Sequence, residues 1–354
     1  MATLLSMPLQ ATYSELVERC SIMRIADLTA KAHAHSLEGG FVKQEKDDGR
    51  VYWYFQAASA DGRRRQRYVG PDSEELRRQI AEHVSAKASL RERRQMVSVL
   101  KRAGLAGPDL TTGRVLEALE SAGAFRLRAV VVGTVAYQTY SGLLGARLAG
   151  GNTMTADLDI AQFEQISIAV QDTVDLPFLD ILKGVDDQFR PIPYQMDGRR
   201  STAFALADRY RVDILTPNRG PARDEPVRLP ALRADGQPLR YLDFLLYNEE
   251  KAVVLYNAGI LVNVPAPERY AVHKLIVSRQ RIETRESQDK ARKDLRQASE
   301  LIEILMEVRP FELRSAWQEL LERGSKWQEN AEEALQMLDK NTREAFKDFI
   351  SSDR

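Results

Sequence analysis

The sequence has little sulfur and little histidine. Among its 354 residues there are one cysteine, Cys20, and four histidines. A single cysteine excludes an internal disulfide, and secreted chains of this size usually carry more, so a reducing, cytoplasmic location is expected. Cys20 has a helical, buried spacing and no histidine to activate it, so we expect no nucleophile there. The histidines are too scattered for a zinc site; they are His33, His35, His83 and His273.

Net charge and long apolar runs are absent as well. Lys and Arg number 51, and so do Asp and Glu, which gives a formal net charge of zero. Any contact with nucleic acid must therefore come from a local basic patch rather than from the whole chain. No window approaches the roughly 18 uninterrupted apolar residues of a membrane helix. The N-terminus also lacks the pattern of a signal peptide, so no membrane contact is expected.

What is present is a composition typical of globular proteins, with 44% hydrophobic and 29% charged residues. The length is sufficient for two or three domains with real hydrophobic cores. Changes in the residue pattern predict three of them, over residues 1–106, 107–238 and 239–354.

The first predicted domain opens with helical spacing from Tyr13 to Ala34. The β-rich runs that follow are separated by Asp48-Gly49 and Asp61-Gly62, which are strong hairpin signals and predict a three-stranded meander. A long charged helix comes next, for which Ser73 favours the start and Gly104 the end.

The second predicted domain alternates helix-like and strand-like segments, which indicates an α/β layer with a mixed sheet. The third reads as almost all helix, because apolar residues recur at three- and four-residue spacing. The expected fold is therefore α+β. A mixed sheet with flanking helices follows a small N-terminal meander with helices and precedes an all-helical C-terminal domain.

Two carboxylates interrupt an apolar, strand-like segment in the stretch GGNTMTADLDIAQF. Asp157 and Asp159 are two residues apart, so on a strand both side chains share one face while Leu158 and Ile160 point into the core. Adjacent carboxylates repel unless a cation lies between them, and Mg²⁺ takes one or two carboxylates together with phosphate oxygens. The pair is a candidate metal site, although such pairs also occur by chance at solvated loops.

Two companions strengthen the metal interpretation. Gly133-Thr134 follows the buried run AVVVG and precedes a helix, where backbone N–H groups and the helix N-terminus can approach a phosphate. The alternative is that Gly133 only permits a turn and binds no phosphate. Asp213 lies in a second short apolar strand, RYRVDILTP. Two-metal phosphoryl-type transfer uses carboxylates that bridge the ions and a further acid near the attacking hydroxyl.

These features follow one another in a characteristic order: a glycine turn, then Asp-x-Asp on one strand, then a single Asp on a later strand. This order resembles that of the DNA polymerase beta-type nucleotidyltransferase superfamily. The segments VVGTVAYQTY, TADLDIAQF and YRVDILTP carry the resemblance. The form TADLD and the later segments HKL and KARKDL are similar to a bacterial branch that includes abortive-infection toxin nucleotidyltransferases and a family of standalone proteins. The hairpin end RYVGPDSEE is similar to that standalone family as well.

The resemblance implies a nucleotidyltransferase-type sheet and roles for individual residues. Asp157, Asp159 and Asp213 would be catalytic and hold Mg²⁺ or Mn²⁺, and Asp213 would also help to activate the acceptor hydroxyl. Gly133 and Thr134 would hold the phosphates of a nucleoside triphosphate. The chain departs from the family pattern in having Thr134 where Ser or Gly is usual, and in a longer gap between Gly133 and Asp157.

A triphosphate needs further cations besides the metals. In the toxin branch a lysine of a comparable helix contacts the nucleotide, so the resemblance makes Lys274 the first candidate. A helix face turned to solvent is the alternative for Lys274. Arg147, on the glycine-rich connection, is a second candidate, and Thr155 is a candidate to support the bound cofactor with its hydroxyl.

A later helix contains Lys290, Lys293 and Asp294, which are similar to a Lys/Asp motif of the same family. The alternative for Asp294 is an ion pair with Lys290 on the surface of the helix, at i,i+4 spacing.

The predicted meander combines basic and aromatic residues. Nucleic-acid surfaces place cations on phosphates and stack rings on bases, so RNA or tRNA is a candidate partner. The alternative is that the rings pack against the long helix and the arginines cover a turn. The residues concerned are Arg63, Arg64, Arg65, Arg67, Tyr52 and Tyr54.

The leading hypothesis is a metal-dependent enzyme that moves a nucleoside monophosphate from an NTP to an unidentified acceptor and releases pyrophosphate. The candidate acceptors are RNA such as tRNA, a protein side chain and a small hydroxyl compound, and a toxin or phage-defence role goes with the first two. The alternatives are a non-catalytic nucleotide- or RNA-binding module of the same fold and a scaffold whose helical domain dimerises.

Overall fold

A computed structural model describes residues 3–29, 39–46, 49–58, 64–152, 155–221, 223–283 and 288–352. The architecture is α+β, as expected, with a mixed sheet at the centre and a helical C-terminal region. Within these ranges no helix combines the length and the apolar character needed to cross a bilayer.

The N-terminal region contains a long helix, the predicted three-stranded antiparallel sheet and a second long helix. Ser73 caps the second helix by accepting a hydrogen bond from a backbone N–H of its first turn at 3.2 Å. The chain leaves that helix at Gly104, whose φ of +91° confirms the predicted stop. The predicted helix end at Ala34 and the turn Asp61-Gly62 lie outside the described residues. The elements are β1 (Thr3–Leu4), α1 (Met7–Thr29), β2 (Gly40–Glu45), β3 (Val51–Ala58), β4 (Arg64–Pro71) and α2 (Glu74–Arg102).

The central region alternates helices and strands, as the sequence predicted. Its elements are α3 (Leu110–Ser121), β5 (Val130–Val132), α4 (Gly133–Leu143), β6 (Ala146–Arg147), β7 (Asp157–Ala161), α5 (Glu164–Ala169), α6 (Phe178–Val185), β8 (Phe189–Ile192), β9 (Ala203–Leu206), β10 (Tyr210–Pro217), β11 (Val227–Leu229) and β12 (Ala234–Leu239). In the sheet, β10 pairs in parallel with β7 and β12 and antiparallel with β9. The outer strand β5 runs antiparallel to β7, so the sheet is mixed.

The C-terminal region begins with a short helix and a β-hairpin before it becomes helical. The prediction of helix does not hold for residues 250–264, which form the two antiparallel strands of this hairpin. Asn257 and Gly259 have φ of +51° and +86°, and such residues between β-branched runs are a hairpin signal. The elements are α7 (Leu242–Leu246), β13 (Glu250–Val254), β14 (Ile260–Val264), α8 (Pro267–Glu283), α9 (Gln288–Val308), α10 (Pro310–Glu322), α11 (Ser325–Met337) and α12 (Lys340–Ser351).

Two hydrophobic cores hold these elements together. The larger core packs α3, α4 and the mixed sheet against the C-terminal helices. The smaller core joins α1 and α2 to the β13–β14 hairpin and includes Tyr13, Leu16 and Cys20. Burial raises the pKa of the Cys20 thiol, which agrees with the absence of a nucleophile there. Each core draws on more than one predicted domain, and the boundaries at 106 and 238 stay predictions.

Candidate active site

The three aspartates lie on two neighbouring parallel strands. In the β7–β10 pairing, Asp159 stands directly opposite Asp213, and Asp157 stands opposite Arg211. The residues between them, Leu158 and Val212, are fully buried, because successive side chains on a strand point to opposite faces. Pairing in this register therefore brings Asp159 and Asp213 side by side on the face that is not occupied by the core.

Asp159 is the aspartate whose ionisation is most disfavoured. Burial raises its pKa to about 6, and the negative charges of Asp213 and Asp157 add to the effect, while Lys274 and Arg281 oppose it. A carboxylate pressed against other carboxylates in this way is electrostatically unfavourable without a cation. The cluster therefore has the electrostatics of a cation site.

Arg211 occupies the position beside Asp213. Its Nε donates hydrogen bonds of 2.8 Å to both carboxylate oxygens of Asp213, and its Nη2 lies 2.7 Å from Oδ1. The guanidinium is half exposed, and its pairing with Asp213 raises the pKa of Arg211. Among the described residues no three His, Cys, Asp or Glu side chains are grouped closely enough to hold a metal ion by themselves. One of the predicted ligands is thus engaged by an arginine.

The turn from β5 into α4 passes directly over the Asp159 carboxylate. Gly133 begins α4 with a φ of +67°, and a Cβ built on it would collide with Asp159 Oδ2. Only glycine tolerates both this conformation and this approach. In the part of the chain that the structure describes, no side-chain hydrogen bond caps the start of α4, so its first backbone N–H groups can bind an anion.

Two side chains from the C-terminal helices reach this same turn. Tyr270 in α8 donates a hydrogen bond of 2.9 Å from its hydroxyl to the carbonyl oxygen of Gly133. Lys293 in α9 donates one of 2.8 Å from Nζ to the hydroxyl of Thr134. Burial and the nearby Lys274 charge lower the pKa of Lys293. The turn is therefore held by helices that lie far from it in sequence.

A buried aspartate fixes two cations on the wall of the site. Asp294 in α9 is only 2% exposed, and its two oxygens accept hydrogen bonds from Lys274 and Arg281 of α8. Its partners are therefore these two residues, in place of the surface pair with Lys290 that was the sequence-based alternative. The Lys274 side chain is 12% exposed and lines the cleft, so it does not lie on a solvent-facing side of the helix.

These parts line one cleft of about 830 Å³, which is within the size range of small-molecule sites. The acidic pair Asp159 and Asp213 lies on one wall with Gly133. The lining also includes the cations Lys274 and Arg281 of α8 and Lys290 of α9. The remaining lining is largely apolar and includes Leu215, Leu239, Leu242, Leu245 and Val277. The cleft thus combines an acidic edge, a cationic edge and an apolar part.

A nucleotidyltransferase family model matches residues 111–322, which is more than half of the chain. The chain belongs to this nucleotidyltransferase family. The match contains the β5–α4 turn, the strands β7 and β10, and the helices α8 and α9 that build the cleft. No curated protein and no solved structure matches the chain.

Two residues predicted for the site of this nucleotidyltransferase lie elsewhere. Arg147 is on β6, which pairs with β1, and its guanidinium is near Gly104 rather than in the cleft. Thr155 precedes β7 and lines a separate cavity that also contains Asp109 and Tyr210, although its hydroxyl accepts a hydrogen bond of 3.4 Å from the backbone N–H of Asp157. The cleft itself contains Gly133, Asp159, Asp213 and Lys274 from the predicted set, with Asp157 at its exposed edge.

The aromatic residues of the nucleotidyltransferase's N-terminal sheet divide between its two faces. Phe41 and Phe55 contact His83 of α2 edge to face, which matches the packing alternative. Tyr54 and Tyr68 lie 5.6 Å apart between ring centroids, and Tyr68 is 58% exposed. Tyr52 lies 6.1 Å from Tyr68, so three tyrosines form a cluster. We call Tyr52, Tyr54 and Tyr68 the tyrosine cluster.

The arginines of this sheet are only partly described. Arg67 is exposed, Arg63 lies outside the described residues, and the side chains of Arg64 and Arg65 are outside the described part as well.

Sequence reasoning missed several residues of the cleft, although their spacing carried a signal. Arg281 lies seven residues after Lys274 and therefore on the same face of α8. Arg211 lies two residues before Asp213 and so shares its face of β10. Tyr270 and Arg240 had no local signal, because their positions depend on how helices and loops from distant segments pack.

Proposed function

We propose that this nucleotidyltransferase binds an NTP with divalent cations in the cleft, transfers the nucleoside monophosphate to an acceptor and releases pyrophosphate. The observation that supports this most directly is the pairing of Asp159 with Asp213 across β7 and β10, beneath the glycine turn of α4. Acid pairs of this kind beside an uncapped helix start suit a metal-bound triphosphate.

The donor set fits Mg²⁺ or Mn²⁺. Asp157, Asp159 and Asp213 supply only carboxylate oxygens, which are hard ligands, and the raised pKa of Asp159 reflects a cluster that a cation would stabilise. Mg²⁺ needs no complete protein cage, because phosphate oxygens supply part of its coordination. When bound, such ions neutralise charge on the phosphates and on the attacking oxygen.

The other residues of the cleft bind and orient the substrates. The N–H groups at the start of α4 would bind phosphate oxygens, and Lys274 and Arg281, which line the same cleft, would neutralise charge on the triphosphate. Asp294 holds both cations in place and acts as a positioning residue. Asp213 would accept the proton of the acceptor hydroxyl on a carboxylate oxygen once Arg211 withdraws from it.

RNA is the acceptor that the charge distribution favours over a protein side chain or a small hydroxyl compound. Residues 39–106 contain fifteen Lys and Arg against nine Asp and Glu, a net charge of +6, whereas the whole chain is neutral. A basic segment that also exposes the tyrosine cluster has the features of a surface for single-stranded nucleic acid. A toxin or phage-defence role remains part of this proposal and predicts that expression slows growth only when Asp159 is intact.

The experiment is a label-transfer assay. The protein is incubated with each of the four α-labelled NTPs, with Mg²⁺ or Mn²⁺, and with either total cellular RNA or an RNA-free lysate. We expect label on RNA for one NTP, loss of it in chelator, and a loss of at least about 10²-fold in Asp159→Asn and Asp213→Asn.

Asp208→Asn is the matched control, because Asp208 is exposed in the turn between β9 and β10. It should transfer label like the wild type. Label transfer that survives both Asp159→Asn and Asp213→Asn would contradict the proposed site. Metal-dependent NTP binding without transfer to any acceptor would favour the non-catalytic binding module instead.

A further inference from the structure

A second cavity, of about 410 Å³, adjoins the catalytic cleft. It lies between the loop after β10, the connection from β12 to α7, and the junction of α10 with α11. Arg240 lines both this cavity and the cleft, so the two are neighbours at that residue. We call this the Arg240 cavity; it is lined by Asn218, Arg219, Gly220, Arg240, Tyr241, Asp243, Arg323, Lys326 and Trp327.

The lining of the Arg240 cavity is strongly cationic. It contains four Arg and Lys residues and a single carboxylate, Asp243. Arg323 donates a hydrogen bond of 2.7 Å to that carboxylate and also binds Glu319, and the Arg219 guanidinium lies 3.9 Å from the same carboxylate. In the described part of the chain, no hydrogen bond or ion pair engages the side chains of Arg240 and Lys326, which are both exposed. The cavity therefore carries positive charge that the protein itself does not neutralise.

Two other described cavities lack this excess of positive charge in their linings. The one at the start of α5 and the β11 loop has three carboxylates against two arginines, and the one beside Thr155 has one aspartate against one arginine. Uncompensated cations in a concave surface attract anions, and arginine forks match phosphate oxygens in particular. The Arg240 cavity is the one of the three that favours a phosphate.

The walls of the Arg240 cavity are held rigidly. The Tyr241 ring contacts Trp327 edge to face at 4.4 Å, and the Arg323 guanidinium lies over the Trp327 ring at 5.2 Å. Tyr241 itself has a φ of +65°, which is costly for a residue with a side chain. This turn ends β12 beside the cleft and places Arg240 between the two cavities.

The position relative to the catalytic acids indicates what the cavity binds. Asn218 follows β10, five residues after Asp213, so the cavity begins about 16 Å along the strand from that carboxylate. Leu215 and Leu239 line the surface between them. A ligand that reaches from Asp213 to Arg240 and beyond must be extended and must carry phosphates away from its reacting end.

We propose that the Arg240 cavity binds a backbone phosphate of a single-stranded RNA acceptor, upstream of the hydroxyl that receives the nucleotide. This inference rests on the proposed nucleotidyl transfer and adds the place where the acceptor is held. Contacts to phosphates position a nucleic acid without reading its sequence. Binding in this cavity would therefore determine how far the acceptor end of the RNA extends into the cleft.

The test measures RNA binding without turnover. Full-length protein in chelator is titrated against a short fluorescein-labelled single-stranded RNA, and the anisotropy is followed over a series of KCl concentrations. Lys326→Gln and Arg219→Gln should each weaken binding about 5-fold, the scale of one lost charged contact. Each should also reduce the salt slope of log K by about 0.7.

Lys347→Gln is the matched control, because Lys347 is an exposed lysine on α12 that does not line the cavity. It should leave both the affinity and the salt slope unchanged. Unchanged values in Lys326→Gln and Arg219→Gln would overturn the proposal, and so would a loss of the same size in Lys347→Gln.

Competition experiments distinguish which anionic ligand the Arg240 cavity binds. Inorganic phosphate or AMP that displaces RNA at an equal phosphate concentration would assign the cavity to a small ligand and overturn the RNA proposal. If polyglutamate displaces RNA equally well, the cavity would be assigned to an acidic protein, and the RNA proposal would be overturned. Failure of the proposed nucleotidyl transfer would appear differently, as an absence of label transfer by the wild-type protein while Lys326→Gln still weakens RNA binding.

Discussion

Asp159 is held among like charges by its backbone. Its strand pairs with β5 on one side and β10 on the other, so its carboxylate has no means of leaving the neighbourhood of Asp213 and Asp157. Such a position costs stability in the absence of a cation, and this cost gives a test of the cluster that does not depend on activity.

Asp159→Asn should raise the Tm of the metal-free protein at pH 8. The folded-state pKa of Asp159, about 6, lies above the ordinary 3.8, so its contribution to stability is present below pH 3.8 and is lost as the pH rises through 6. Asn does not ionise, so Asp159→Asn does not lose this stability as the pH rises. We expect a gain of about 2 °C or more at pH 8 that shrinks towards pH 4, measured by differential scanning fluorimetry in chelator.

Asp208→Asn, in an exposed turn, should show no gain of this kind at either pH. A Tm difference for Asp159→Asn that stays constant from pH 4 to pH 8, or that falls as the pH rises, would show that its carboxylate is not strained in the folded protein.

Arg211 occupies the carboxylate of Asp213 that the proposed metal ion would bind. Its guanidinium binds both carboxylate oxygens, so an ion can reach them only when the arginine moves. Arg211→Gln should therefore bind Mn²⁺ about 5-fold more tightly in the absence of nucleotide, the scale of a half-exposed ion pair. The measurement is a Mn²⁺ titration followed by electron paramagnetic resonance.

Arg209→Gln serves as the control, because Arg209 is exposed two residues earlier in the same hairpin. Its Mn²⁺ affinity should equal that of the wild type. Equal or weaker Mn²⁺ binding by Arg211→Gln would mean that Arg211 does not compete with the ion.

At the scale of single elements, the start of α4 depends on glycine. A Cβ at Gly133 would meet Asp159 Oδ2, and its φ of +67° strains any other residue. Gly133→Ala should lower the free energy of unfolding by about 1–3 kcal/mol and abolish NTP binding, because the α4 N-terminus shifts. Chemical denaturation and calorimetry measure the two effects.

Gly184→Ala is the matched control, since Gly184 lies in α6 with nothing within 4 Å of an added Cβ. It should stabilise the protein by up to about 1 kcal/mol and leave NTP binding unchanged. A Gly133→Ala variant that binds NTP normally would separate this turn from phosphate binding.

The tyrosine cluster allows a test of the proposed role of the N-terminal sheet in RNA binding. Tyr68 is the most exposed of the three rings and sits against Tyr54. Tyr68→Ser should weaken binding of single-stranded RNA by about 1–3 kcal/mol, the value of one stacked base, without changing the Tm. Fluorescence anisotropy gives the affinity.

Phe311→Ser removes an even more exposed ring, on α10, and should not change RNA affinity. If Tyr68→Ser and Phe311→Ser behave alike, the tyrosine cluster is not an RNA surface.

The elements show where sequence patterns succeed. Alternation of apolar and acidic residues predicted β7 and β10, and Ser73 and Gly104 predicted the two ends of α2. The β13–β14 hairpin was not predicted, because residues 250–264 fell within a domain expected to be helical, although Asn257 and Gly259 are turn residues. Short apolar runs fit a helix or a strand equally well by periodicity alone.

At the scale of the whole molecule, a buried tyrosine is one of the residues that attach α1 to the β13–β14 hairpin. The Tyr13 hydroxyl donates to the carbonyl of Val253 at 3.2 Å and accepts from its N–H at 3.0 Å, in a buried position. Tyr13→Phe leaves both backbone groups unpaired and should cost about 1–3 kcal/mol of stability. NTP binding well below the Tm should not change.

Tyr52→Phe is the control, because no hydrogen bond to the Tyr52 hydroxyl occurs among the described residues and the ring is only partly buried. It should be neutral in chemical denaturation. A neutral Tyr13→Phe would show that the two hydrogen bonds do not hold α1 to the hairpin.

The sequence by itself determined which residues stand on polar faces of apolar strands and where the chain turns at Gly133, because period-two alternation and glycine turns are local properties. Only the tertiary structure decided which residues from other segments lie beside these positions. The parallel register sets Asp159 against Asp213, and the packing of α8 and α9 gives Asp294 its two cations. Register and helix docking depend on contacts between distant segments, and local patterns do not encode those contacts.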